Sequence, residues 1–288
     1  MQKLYPFLIT ILIVAVSSRL QAQFVKTPVT FGETTVFPSK VLDEDRRVNV
    51  YLPPLYAENP EKKYPVVYIL DGGVEEDFFH LTSLLRFSAQ AWVDRFPEAI
   101  VVGIENVNRR RDFTFAVPNL DFLAEEGFPK TSFVAHGQSA KYIQFLGEEL
   151  KPFIEGTYRT EDRSVVIGES LAGLLATEIL LKKPTLFTDY IIISPSLWWG
   201  GRSLLSEAHV LLNKNLKKEV NVYIGAPSKD EDTKMFNEVE QLHGIVEKSS
   251  KIHTVFDYLP QETHATVIHQ AVYNALLFLK PLPTVSRP

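Results

Sequence analysis

Residues 165–173 read VVIGESLAG, and the meaning of this stretch decides the fold. Val165, Val166 and Ile167 form a β-branched run suited to a buried strand. Gly168, Glu169 and Ser170 break it, and Leu171 to Leu181 is apolar enough for a buried helix. A serine on so tight a strand-to-helix turn projects its Oγ beyond the sheet, and the N–H of the next residue points the same way. Small residues beside such a turn let neighbouring backbones come close, which Gly168, Ala172 and Gly173 allow. The common spelling G-x-S-x-G is altered here, with Ala172 in the last position and Gly173 after it. A serine in this place can also simply cap the helix that starts at Leu171, so the rest of the chain must decide.

Working outward, apolar runs of strand length recur at Val66–Leu70, Ala99–Ile104, Tyr190–Ile193, Val220–Ile224 and His253–Leu259. Between them, Glu76–Arg95, Ala140–Ile154, Thr233–Lys248 and Ala265–Leu279 carry helical patterns. At the front, Thr34–Leu42 and Arg47–Leu52 flank the charged turn Asp43, Glu44, Asp45 and predict an antiparallel hairpin. Strands alternating with helices predict an α/β fold. Its sheet is mostly parallel, covered by helices on both faces, with the hairpin at one edge. Ligands of such sheets bind beyond the carboxyl ends of the strands, where Ser170 falls. The stretch from Asn106 to Gln138 is irregular and rich in aromatic residues, which predicts a packed functional loop.

With 288 residues, 45% of them hydrophobic, the chain has enough apolar material for one α/β domain over residues 23–288. A net charge of −5 and the lack of a basic face argue against a nucleic-acid partner. The run Arg109, Arg110, Arg111 reads as solvated surface or as an anion site near a cleft. Lys3, the apolar stretch Phe7–Val16 and the small residues up to Ala22 read as a signal peptide over residues 1–22. Export to the periplasm or the medium would follow, with no stable membrane span after cleavage. The chain has no cysteine, which excludes a cysteine-linked lipid anchor and a disulfide framework.

A serine hydroxyl needs a base to take its proton, and the base needs a group to orient it. In the strand-turn-serine-helix arrangement these follow in the order serine, acid, histidine. Of the histidines after Ser170, only His264 sits between the last strand and the last helix. The acid is sought in the loop after Ile224, which offers Asp230, Glu231 and Asp232. Asp232 is suited to capping the next helix, Glu231 is preferred to Asp230, and a Ser–His dyad stays open. The oxyanion hole is expected from the N–H of Leu171 and one from the Asp71, Gly72, Gly73 turn, with Gly72 as the choice. Trp198 and Trp199, beyond a strand end, divide between core edge and cleft wall. As a wall they would join Phe113 and Phe115 around a bulky group, with Arg111 for an anionic substituent. The scattered histidines lack the spacing of a metal site, and no cofactor is implied.

The motifs YPVVYILDGG, GESLAG, SPSLWW and ETHATV, in that order from about Phe31 to the end, resemble the esterase D-like branch of the α/β-hydrolases, the putative esterases. SPSLWW points to the subgroup similar to siderophore esterases of the enterobactin-cleaving type. The resemblance implies an α/β-hydrolase fold, with Ser170 as nucleophile and His264 as base. It implies a serine esterase working through an acyl-enzyme on a small-molecule ester. Two other readings remain: an acyltransferase on the same machinery, or a binding protein on a hydrolase scaffold.

Overall fold

The computed structural model describes residues 26–280, so the expected signal segment lies outside the described residues. Two units divide the chain, Met1–Phe31 and Gly32–Pro288, and residues 26–31 of the first carry no helix or strand. The second unit runs β1 (Glu33–Ser39), β2 (Glu44–Tyr51), β3 (Tyr64–Ile69), α1 (Phe78–Ser88), β4 (Ile100–Ile104) and α2 (Arg109–Phe113). It continues through α3 (Ser139–Phe145), α4 (Lys151–Thr157), β5 (Thr160–Glu169), α5 (Leu171–Lys182) and β6 (Asp189–Ile193). It closes with α6 (Ser203–Asn215), β7 (Val220–Ala226), α7 (Thr233–Val246), β8 (Ile252–Tyr258) and α8 (Val267–Phe278).

The strands make one sheet in the order β1-β2-β4-β3-β5-β6-β7-β8. β2 runs antiparallel to both β1 and β4, and every pair from β4 to β8 is parallel. This is the α/β-hydrolase architecture expected from the sequence. The central strands are buried on both faces, which is why they read as unbroken apolar runs rather than as alternating patterns. The order of strands reverses between β3 and β5, so a crevice opens at their carboxyl ends. Ser170 follows β5, and the Asp71–Gly73 turn follows β3.

Two predicted helices are shorter than their patterns. α1 stops at Ser88, whose carbonyl accepts the N–H groups of Arg95 (2.9 Å) and Phe96 (3.3 Å), so residues 89–95 fold back as a turn. The helix expected over Ala140–Ile154 is divided into α3, a π turn at Leu146–Leu150, and α4. Pro152 has no N–H to bond to the preceding turn and its ring crowds that turn, and the wider π turn accommodates it.

The irregular stretch is packed, as expected. It carries α2, two 3-10 turns (Asp121–Ala124 and Lys130–Phe133) and a bridge between Phe115 and Gln138. Charge anchors one end. The fully buried Arg46 of β2 pairs with Glu44 and, at 2.7 Å, with Asp112 of α2. Arg111 then bonds both Glu44 (2.5 and 3.0 Å) and Asp112 (2.7 and 3.2 Å). Aromatic packing anchors the other end. Trp199 donates its indole N–H to the Phe115 carbonyl (2.9 Å) and lies 4.9 Å from Phe133 and 5.2 Å from Phe122, while Trp198 stacks on Phe128 at 5.3 Å.

Candidate active site

Ser170 occupies the turn between β5 and α5 with φ 57° and ψ −117°. A left-handed φ at a non-glycine residue costs about 1–3 kcal/mol and persists only where the surroundings hold it. Here both sides of the residue are held. Its N–H donates to Ile193 O (3.1 Å), and its carbonyl accepts from Leu174 (2.9 Å) and Ser196 (2.9 Å). The altered spelling of the motif also has a steric account. A Cβ at Gly168 would lie 2.3 Å from the Ala172 carbonyl oxygen, so position 168 requires glycine, whereas the Ala172 methyl is accommodated in the core.

Parallel pairing of β5 with β6 sets Glu169 beside Ile193, so the next residues, Ser170 and Ser194, leave adjacent strand ends together. The turn Ser194, Pro195, Ser196 then meets both candidate residues. Ser196 Oγ lies 3.3 Å from Ser170 Oγ, and Ser194 Oγ lies 2.9 Å from Nδ1 of His264. His264 is carried by the turn between β8 and α8. Burial lowers the pKa of its imidazole below the ordinary histidine value. The Glu231 charge opposes this, Arg109 reinforces it, and Asp232 opposes it. The shift favours the neutral ring, the form able to accept a proton.

Three acidic candidates after β7 separate clearly. Asp232 caps α7 by accepting the Met235 N–H (2.9 Å), as its position suggested. Asp230 is exposed, its N–H directed at Ser228 Oγ (3.3 Å). Glu231 does reach His264, but its carboxylate accepts the main-chain N–H (2.5 Å) rather than a ring N–H. The ring itself faces a hydroxyl.

The oxyanion-hole expectation divides. Leu171 is the first residue of α5, where an N–H has no intrahelical acceptor, so this donor is open to a substrate. Gly72 must be corrected. Its N–H donates to Ile104 O at 3.0 Å, and a Cβ there would come within 2.3 Å of Gly103, so the residue is pressed into the sheet. The adjacent Gly73 N–H instead donates to the Glu76 carboxylate (2.7 Å), whose other oxygen accepts from the Asn106 side chain (2.9 Å).

The substrate-wall readings are corrected as well. Trp199 is fully buried and Trp198 only 7% exposed, so both indoles secure the irregular stretch and present almost no surface to a ligand. Phe113 is buried too. Arg111 is taken up by Glu44 and Asp112. The arginine beside the end of β5 is Arg109, which grips Asp71 with two bonds (2.7 and 2.9 Å) and donates to the Glu169 carbonyl (3.1 Å). Residues two apart on a helix point about 200° apart, which is why Arg109 and Arg111 face different neighbours.

Beside Ser170, Glu169 is pushed up to about 8 by burial, then by the charges of Asp77 and Asp71, against the pull of Arg109. Asp77 is pushed up to about 6 by burial and by Asp71 and Glu76. The upward shift favours the protonated, uncharged form of Glu169 beside Ser170. The sequence reading singled out neither Glu169 nor the pair Ser194 and Ser196, and within the run Arg109, Arg110, Arg111 it chose Arg111. The two serines were within reach of it, because SPS follows the strand that pairs with the one before Ser170.

Comparison with known proteins places the chain in a family. The sequence profile of the family described as Putative esterase matches residues 39–278. The ferri-bacillibactin esterase BesA of Bacillus subtilis is 28% identical over 256 residues, covering 82% of this chain and 86% of that protein. Among solved structures, an IroE-like serine hydrolase from Shewanella oneidensis superposes with a TM-score of 0.77 at 28% identity, over 86% of this chain and 80% of that one. The BES protein from Bacillus cereus gives the same TM-score at 26% identity, over 90% of this chain and 100% of that one.

Proposed function

This chain belongs to the putative-esterase family of α/β-hydrolases, and from that premise we propose that it is an exported serine esterase that opens siderophore esters through an acyl-enzyme. The observation that carries the chemistry is one turn, Ser194–Ser196, touching both the strained Ser170 and the ring of His264. The substrate class rests on the relatives, among them the ferri-bacillibactin esterase. Export rests on the leading segment, and the described helices and strands of the esterase fold all lie in the second unit. Among the described residues, no helix is long and apolar enough to cross a membrane.

In the reaction, Nε2 of His264 takes the Ser170 proton as Oγ bonds to the ester carbonyl carbon, whose oxygen becomes the oxyanion. The Leu171 N–H and the Gly73 N–H, once Glu76 has swung aside, receive that charge. On collapse the carbon–alkoxy bond breaks, and the alkoxide leaves as an alcohol with the proton from His264. Water then gives a proton to Nε2 as its oxygen bonds to the acyl carbon; the carbon–Oγ bond breaks, Ser170 Oγ takes that proton back from Nε2, and the acid leaves.

A fluorophosphonate probe should label the wild-type protein at Ser170 and leave Ser170→Ala unlabelled. That variant should keep its melting temperature and lose about 10³-fold or more of its rate on p-nitrophenyl acetate. Turnover by the folded variant at the wild-type rate would refute the assignment. A kcat/KM for a siderophore ester no higher than for p-nitrophenyl acetate would remove the substrate class while leaving the mechanism.

A further inference from the structure

Among the described residues, no carboxylate meets the ring of His264, so something else must decide which nitrogen carries the proton. A base for Ser170 needs hydrogen on Nδ1 and a bare Nε2, and the other tautomer is inert. Ser194 Oγ, fully buried, stands between two groups: Nδ1 at 2.9 Å and the Met235 thioether sulfur at 3.1 Å. A thioether only accepts, and a hydroxyl has one hydrogen. When that hydrogen points at the sulfur, the oxygen is left to accept, and Nδ1 must be the donor.

We propose that Ser194, backed by Met235, is the positioning residue that fixes the catalytic tautomer of His264, a task a carboxylate performs in charged triads. This rests on the serine-esterase reading above. The placement of Ser194 is rigid, as the task requires. Its N–H donates to Gly225 O (2.8 Å) at the end of β7, and its backbone is held at φ 40°. Glu231 serves a different end, fixing the turn through the His264 main chain. The division of labour is that main-chain position is set by charge, while the ring's proton is set by a neutral relay.

The test is ¹⁵N NMR of the imidazole in the full chain, which reports the tautomer without any substrate. Wild type should show protonated Nδ1 and bare Nε2 in His264, identified by loss of its signals in His264→Ala. Ser194→Ala should shift the population toward protonated Nε2 and lower kcat on the order of 10- to 100-fold with little change in KM. Ser194→Asn should recover much of the rate, since asparagine tolerates a positive φ and offers a carbonyl acceptor to Nδ1–H. Met235→Leu, which keeps the volume but removes the acceptor, should shift the tautomer in the same direction by less. An unchanged imidazole spectrum in folded Ser194→Ala, or a kcat loss in Glu231→Gln equal to that in Ser194→Ala, would overturn the proposal. Failure of the wild type to react with fluorophosphonate would instead count against the serine-esterase reading, whatever the spectra show.

Discussion

At the scale of single residues, the chemistry depends on side chains whose environment departs from that of free solution. In the proposed mechanism His264 must be neutral to act, and its partly buried ring is held below the ordinary histidine value, with Arg109 adding to the effect of burial and Glu231 and Asp232 offsetting it. The sign follows directly. Activity is lost as pH falls through the folded-state value, and because that value is depressed, the acid limb of the kcat/KM profile should lie below pH 6.5 rather than above it. Removing the positive charge in Arg109→Gln should move that limb upward. A limb in wild type at or above the free-histidine value would show that the carboxylates outweigh burial. The strained backbone of Ser170 belongs to this scale too, because only fixed neighbours on both sides keep such a φ occupied.

At the scale of elements, the tryptophans show how a local reading can locate a feature and mistake its use. Trp198 and Trp199 do follow β6 at the catalytic edge, yet the stretch between β4 and α3 folds over them with Phe122, Phe128 and Phe133. Truncating either indole to alanine should therefore cost about 3–5 kcal/mol of stability, as for large aromatic residues in cores. Chemical denaturation checks the loss, and kinetics on the folded fraction should show equal effects on bulky and small esters. A selective rise of KM for bulky esters alone, with stability unchanged, would return the tryptophans to the cleft. The helices teach the same lesson. The pattern at Ala140–Ile154 is helical throughout, but Pro152 acts on the turn before it and leaves a π turn between α3 and α4.

For the molecule as a whole, the hairpin edge and the irregular stretch are joined by the buried pair Arg46–Asp112 and its neighbours Glu44 and Arg111. Asp112→Ala would leave the Arg46 guanidinium buried with fewer partners, so unfolding should become about 3–5 kcal/mol easier. A loss below about 1 kcal/mol, the range of exposed pairs, would mean that water replaces the carboxylate. The sequence by itself determined the alternation of strands and helices, the leading hairpin, the serine turn and the histidine-bearing turn. Each of these is written in local periodicity and in the residues that stop a strand. Only the tertiary structure decided what meets His264: Ser194, 70 residues away, on the ring and Glu231 on the main chain. It also decided that Trp199 bonds a carbonyl 84 residues distant, that Gly72 spends its N–H on the sheet, and that Arg109 rather than Arg111 lies beside the end of β5. Such contacts join segments remote along the chain. Strand register, sheet twist and a helix's rotation about its axis fix them, and no pattern within a single segment records those quantities.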